Sequence, residues 1–212
     1  MKLAVFGATG GVGTQLVKLG LAQGHTVTAI VRNPAKFTLT DDPQLQLVTV
    51  PDLGDTKRVR AAIAGCDAAL SGVGPSGTKD VTAASVPTRH ILAALEAEGI
   101  NRFVAVSAAP VGPLPEGDGF LNRRIVFPFT RKVFGEMYGD LAVMEREIAA
   151  SGLDWTVVRP PKLTNKPVGD YRVEIGGNVP RGIFASRAEV AHAMLALLTD
   201  ERAVRQAVGV AR

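Results

Sequence analysis

The sequence holds a single cysteine, Cys66, so no internal disulfide can form. That excludes a small secreted scaffold stapled by bridges, and a reducing, cytoplasmic setting is expected. No run approaches the roughly twenty apolar residues of a membrane-spanning helix, and Met1-Lys2 leads directly into an apolar stretch without the shape of a secretory leader. Repeats and low-complexity tracts are missing too. Aromatic residues make up only 5%, and the 24 basic residues are scattered rather than gathered into an arm. A nucleic-acid partner is therefore not expected, and the formal charge of +4 suits a small anionic ligand. No metal is expected, and the chain is read as a monomer or homodimer. Across 212 residues, 46% hydrophobic and 21% charged, the composition is that of one globular domain with a substantial core.

The first fourteen residues are the most informative. Lys2 to Phe6 is a short apolar run, and Gly7-Ala8-Thr9-Gly10-Gly11-Val12-Gly13-Thr14 follows at once. Residues 15–23 then carry the crowded apolar pattern of a buried helix. Strand, glycine loop, helix is the order that turns spaced glycines into a phosphate cradle. Gly7 lets the chain leave the strand, Gly10 and Gly11 admit a pyrophosphate close to the backbone, and Gly13 permits tight helix packing. The free N–H groups of the helix start favour the anion, and Thr9 and Thr14 add hydroxyls.

Strand-like and helical patterns alternate to the end, predicting a Rossmann-like, doubly wound parallel sheet in a single α/β domain over 1–212. Strands are expected at 26–31, 45–50, 67–70, 102–107 and 154–158, with others near 171–175 and 208–210. Helices are expected at 57–64 behind an Asp55 cap, at 81–98 ending on Gly99, and at 138–150 and 187–198. Pro87 either kinks the third helix or marks a later start.

The second strand ends in Arg32, with Asn33 and Lys36 near and no carboxylate until Asp41. An acid at that position holds the ribose diol of NAD, whereas a guanidinium clamps a 2′-phosphate. NADP(H) is favoured, with a solvated strand-end arginine as the alternative. Asp52 and Leu53 follow the third strand, where the carboxylate can take the adenine amino group or cap the loop. Gly72, Val73 and Gly74, after the fourth strand, leave room for the second ribose or form an ordinary turn.

Gly7 to Gly13, Val31-Arg32-Asn33-Pro34, Val106-Ser107 and Trp155 to Pro160 together resemble atypical short-chain dehydrogenases/reductases of the NAD(P)-binding, NmrA-like type. More narrowly, Ser151-Gly152-Leu153, Pro160-Pro161, Gly169-Asp170-Tyr171 and Ser186-Arg187 resemble the flavin/biliverdin-IXβ reductase branch. The resemblance implies NADPH and reduction of a flavin or linear tetrapyrrole. Ser107 and the backbone at Pro160 and Pro161 would then frame the nicotinamide, and Lys162 would face the substrate. From the residues alone, Ser107 is either a proton-relay hydroxyl or a strand-end hydrogen bonder. Lys162 is either an anion or proton site or a surface lysine.

The Tyr-x-x-x-Lys pair of carbonyl-reducing relatives is missing: four residues after Tyr138 stands Ala142. Tyr138 is therefore read as packing or pocket wall. His25, His90 and His192 read as structural, the last without an evident partner. So few acid–base groups suit hydride transfer to a planar conjugated acceptor, where binding and orientation are the protein's main task. They also suit a regulator that senses NADP(H) without turnover, or a quinone or enone reductase. The aromatic and basic residues of 108–135 are read as a lid over a planar anionic substrate; a helical excursion in a packing or dimer contact, or a membrane-surface element, are the alternatives.

Overall fold

Strand β1 (Lys2–Phe6) shows why the fold has two helical layers. Successive side chains of a strand point to opposite faces, and all four of its inner residues are buried. Leu3 and Val5 enter one core, Ala4 and Phe6 the other. The computed structural model of the chain describes residues 1–39, 42–74, 82–113 and 135–212. In order, the further elements are α1 (Gly11–Ala22), β2 (Thr26–Val31), β3 (Leu45–Thr49), α2 (Thr56–Ile63), β4 (Ala68–Ser71) and α3 (Ser85–Glu98). They continue with β5 (Arg102–Val106), α4 (Gly135–Ala150), β6 (Asp154–Arg159), β7 (Lys162–Thr164), β8 (Arg172–Ile175), β9 (Phe184–Ser186), α5 (Arg187–Ala196) and β10 (Gln206–Ala211).

The main sheet runs β3-β2-β1-β4-β5-β6-β10-β8, and β7 and β9 pair separately. Neighbours from β3 through β10 are parallel, and β8 closes the edge antiparallel to β10. This is the expected single α/β domain of Rossmann-like type. Core one gathers Leu16 and Val17 of α1 with Val190 and Met194 of α5. Core two gathers Val59 and Ile63 of α2, Ile91 and Leu95 of α3, and Met144 and Ile148 of α4. Of the lid expected over 108–135, residues 114–134 lie outside the described residues.

Expected strands and helices recur within a few residues, and the two departures that bear on function are helix starts. Helix α1 begins at Gly11 rather than near residue 15, so the last two motif glycines belong to its first turn. Helix α3 begins at Ser85, which places Pro87 in its first turn, where a missing N–H costs little. Its start lacks a cap of its own. The buried Asp140 of α4 supplies one instead, accepting from the N–H groups of Ala84 at 2.8 Å and Ser85 at 3.2 Å. Asp140→Ala should cost about 1–3 kcal/mol, because it strands two donors at a buried helix end. Urea denaturation measures this, and a loss under about 0.5 kcal/mol, as at an ordinary surface site, contradicts the capping role.

Helix α5, by contrast, carries its own capping box of Ser186 and Glu189. Glu189 is buried, and burial opposes its charge. Hydrogen bonds from Arg212 and from the Ser186 and Gly169 N–H groups outweigh that and hold its carboxyl below the ordinary glutamate range. A lowered folded-state pKa contributes stability that is complete above the unfolded value and is lost as pH falls through the folded one. The stability gap between wild type and Glu189→Gln should therefore narrow on acidification from neutral pH. A gap of constant size in urea denaturation down through the carboxylate range contradicts this reading.

Candidate functional site

Strand order reverses between β1 and β4, and crevices for ligands open at such a switch point beyond the carboxyl ends of the strands. Register holds the two ends level, Phe6 opposite Ser71, and the Gly72 N–H donates to the Phe6 carbonyl at 3.0 Å. Gly7 turns off β1 with φ +69°, a left-handed value that suits glycine. A Cβ there would lie 2.9 Å from the Gly72 carbonyl carbon and the Val73 nitrogen. On Gly13 it would lie 2.7 Å from the Gly7 carbonyl carbon, with the oxygen nearer still, and on Gly72 it would lie 2.9 Å from the Gly13 nitrogen. Three glycines thus close on one another where side chains would force the strand ends and the helix apart. The Gly10 N–H donates to the Gly7 carbonyl, and Thr14 N–H to Gly10 is the first bond of α1. The N–H groups of Gly11, Val12 and Gly13 precede it, as at any helix start. The side chain of Val12 is buried in core one, so only its backbone is available to a ligand. Thr14 is taken as well: its hydroxyl donates to the Ala8 carbonyl at 3.0 Å.

A cleft of 780 Å³ opens on this loop and runs across the ends of β1, β2 and β3. Gly7, Thr9, Gly10, Arg32, Asp52, Leu53, Gly72, Val73 and Gly74, all expected from the sequence, line it together. Arg32 is exposed and makes no ion pair among the described residues. Lys36 also lines the cleft, behind the turn that Asn33 caps through the Ala35 N–H. The Asp52 carboxylate accepts from the Gly54 N–H at 2.8 Å, so it does cap its loop. His90, read from the sequence as structural, lines the cleft with Val86 and Pro87 of α3. The shared signal was helical spacing: 86 and 90 lie one turn apart, on a helix whose start faces the crevice.

Ser107, Pro160, Pro161 and Lys162 lie outside that wall, along the ends of β5 and β6. The Ser107 N–H donates to Val158 at 2.7 Å and the Ala109 N–H to Pro160 at 2.8 Å, which carries the strand pairing beyond both ends. Asn178 fastens the following loop by donating to the carbonyls of Ala109 and Pro113. The Ser107 hydroxyl is buried and has no hydrogen-bond partner among the described residues. Arg159 pairs with Glu145 of α4, fixing the strand end that delivers Pro160. Lys162 is exposed on β7, its ammonium 5.9 Å from the centre of the Phe184 ring. Tyr138 packs against core two, and burial pushes its hydroxyl pKa up, the opposite of what a proton donor needs. His192 does have a partner, the Tyr171 hydroxyl, 2.6 Å from Nδ1. Among the described residues no cluster could hold a metal ion, and no helix is long and apolar enough to cross a membrane.

A glycine loop at the switch point of a 3-2-1-4-5-6 parallel order defines a dinucleotide-binding, Rossmann-like protein. The chain belongs to the NAD(P)H-binding family, which it matches over residues 7–201. It is 27% identical over 212 residues to an uncharacterised sugar epimerase, YhfK, of Bacillus subtilis, covering 98% of this chain and 92% of that one. A wide-type short-chain dehydrogenase/reductase of Veillonella parvula, solved in complex with NADP, superposes with a TM-score of 0.82 at 18% identity, covering 100% and 94% of the two chains. A Streptococcus pneumoniae protein proposed to be an NADH-flavin reductase does so with 0.78 at 22% identity, covering 100% and 99%. The open backbone at the loop and the cationic wall at β2 fit the dinucleotide that the family binds.

Proposed function

We propose that the protein is an NADPH-dependent reductase acting on a flavin-like or other planar conjugated acceptor. The observation that carries this reading is the pairing of a cationic wall at the end of β2 with ends of β5 and β6 that are, among the described residues, poor in acid–base groups. Arg32 and Lys36 line the cleft where NAD-specific relatives of this architecture need an acid. Gly7, Thr9, Gly10, Gly11, Val12 (through its N–H) and Gly13 hold the pyrophosphate, and Arg32 the 2′-phosphate. Asp52 and Leu53 meet the adenine, and Gly72, Val73 and Gly74 leave space for the second ribose.

Bound NADPH supplies a hydride. The chain's part is to orient the two rings, exclude water and manage one proton. Ser107 and the backbone at Pro160 and Pro161 would frame the nicotinamide, and the Ser107 Oγ, without a partner among the described residues, would be the hydroxyl that hands a proton on. Lys162, beside the Phe184 ring, receives the anionic part of an aromatic acceptor. Support for a flavin comes from the residues shared with the flavin/biliverdin-IXβ reductase branch and from the fold of the pneumococcal protein. An epimerase reading, favoured by the Bacillus relative, asks for proton-transfer groups that Tyr138 and Ala142 do not provide. A sensor of NADP(H) is the second reading, favoured by the same shortage.

Stopped-flow mixing with NADPH and excess FMN, then a quinone panel, separates these readings. Cofactor oxidation with a planar acceptor is the expected result. Tight NADPH binding with no oxidation by any flavin or quinone would establish the sensor instead.

A further inference from the structure

Helices α1 and α5 lie side by side and parallel, with their starts level. Arg187 Cδ and Nε lie 2.5 Å from where a Gly11 Cβ would be, and Leu195 Cδ2 lies 3.9 Å from a Gly20 Cβ. The first residue of α5 therefore drapes its side chain over the glycine loop, and Gly11 is the residue that leaves it room. Nothing in the local sequence marks Arg187 for this place, because the approach of the two helix starts is purely tertiary.

We infer that Arg187 is a further contact for the diphosphate of the bound dinucleotide, reaching the glycine loop from the neighbouring helix. This rests on the dinucleotide reading of the cleft. Arg187 donates to the Asn165 side-chain oxygen at 2.7 Å, a neutral acceptor that fixes the guanidinium without cancelling its charge. Among the described residues it has no carboxylate partner, whereas Arg159 and Arg212 are paired with Glu145 and Glu189. Helix α1 begins with neither an acid in its first turn nor a side-chain cap. A guanidinium and the positive end of a helix, facing each other at close range, repel unless an anion lies between them. The guanidinium's remaining N–H groups and the loop amides would converge on such an anion. Helix α5 offers no comparable place, since Ser186 and Glu189 already satisfy its start.

The same chemistry could serve a carboxylate or phosphate of the acceptor, and the test separates the two sources. The full chain, as wild type, Arg187→Ala and Arg187→Lys, is titrated with NADPH, with NADH and with adenosine 2′-monophosphate, which lacks the diphosphate. The alanine variant should bind both dinucleotides more weakly by a common factor, roughly tenfold to a hundredfold for a charge-assisted contact. Its affinity for the monophosphate should be unchanged, and lysine should recover part of the loss. Should the alanine variant melt early, Arg187→Gln, which can still donate to Asn165, carries the comparison. Unchanged dinucleotide affinity overturns the assignment, including the case where only the acceptor's KM rises. So does an equal loss of the monophosphate, which marks a general disturbance of the cleft. A wild-type protein that binds neither dinucleotide defeats the functional reading itself, and this contact with it.

Discussion

Replacing Arg32 with aspartate should weaken NADPH binding by more than about tenfold and leave NADH binding little changed, a difference on the order of 1.5–3 kcal/mol. The size follows from position. Arg32 stands exposed at the end of β2 and lines the cleft, so its guanidinium can grip a 2′-phosphate from two nitrogens at once. Aspartate removes that grip and sets like charge against the phosphate, while NADH presents only hydroxyls there. Lys36 on the same wall keeps part of the positive field, which is why the reversal Arg32→Asp is a sharper change than truncation to alanine. Isothermal titration of both cofactors at one ionic strength measures the ratio, since exposed charges are screened by salt. Equal losses for the two cofactors would remove Arg32 from the 2′-phosphate.

Gly13→Ala should be the most damaging single methyl among the described glycines. Its Cβ would press on the Gly7 carbonyl and lie 2.9 Å from the Ala8 Cα. Backbone cannot swing aside as a flexible side chain can, so either α1 or the β1 turn must shift. Overpacking of this kind costs about 1–3 kcal/mol and occasionally more. It also moves the amides of the helix start off the pyrophosphate, so dinucleotide affinity should fall together with stability. Gly152→Ala, away from the cleft, is the matched control, because among the described residues nothing lies within 4 Å of its Cβ position. That variant should stay within about 0.5 kcal/mol of wild type. Chemical denaturation together with cofactor titration checks both, and a Gly13→Ala protein as stable and as tightly binding as the Gly152→Ala control would refute the packing of the loop.

What could be read from the sequence follows the range of the interactions that decide each feature. Strands β1 and β2 are legible to the residue because both faces are buried and, Thr26 and Thr28 apart, the residues after the first of β1 are apolar. The glycine loop is legible because its geometry is set within seven residues. Strands β7 and β9, three residues each, are too short to show a period of two, and they hold each other across a long excursion. The start of α3 depends on Asp140, 56 positions later for the Ala84 contact, which no local pattern announces. His90 and Arg187 reach the cleft and the loop only because of such long-range placements. Arg102 belongs here too: it reads as an ordinary first residue of a strand. Folded, its guanidinium donates to the Asp154 carbonyl, the Thr156 hydroxyl and the carbonyls of Leu197 and Leu198, tying the far end of the sheet to the turn after α5.

Fluorescence titration of the unaltered protein with NADPH and with NADH, repeated at two salt concentrations, bears most directly on the cleft as a dinucleotide site. NADPH should bind the tighter of the two, and its advantage should shrink as salt screens Arg32 and Lys36. No measurable affinity for either nucleotide, or a preference for NADH at low salt, would contradict it.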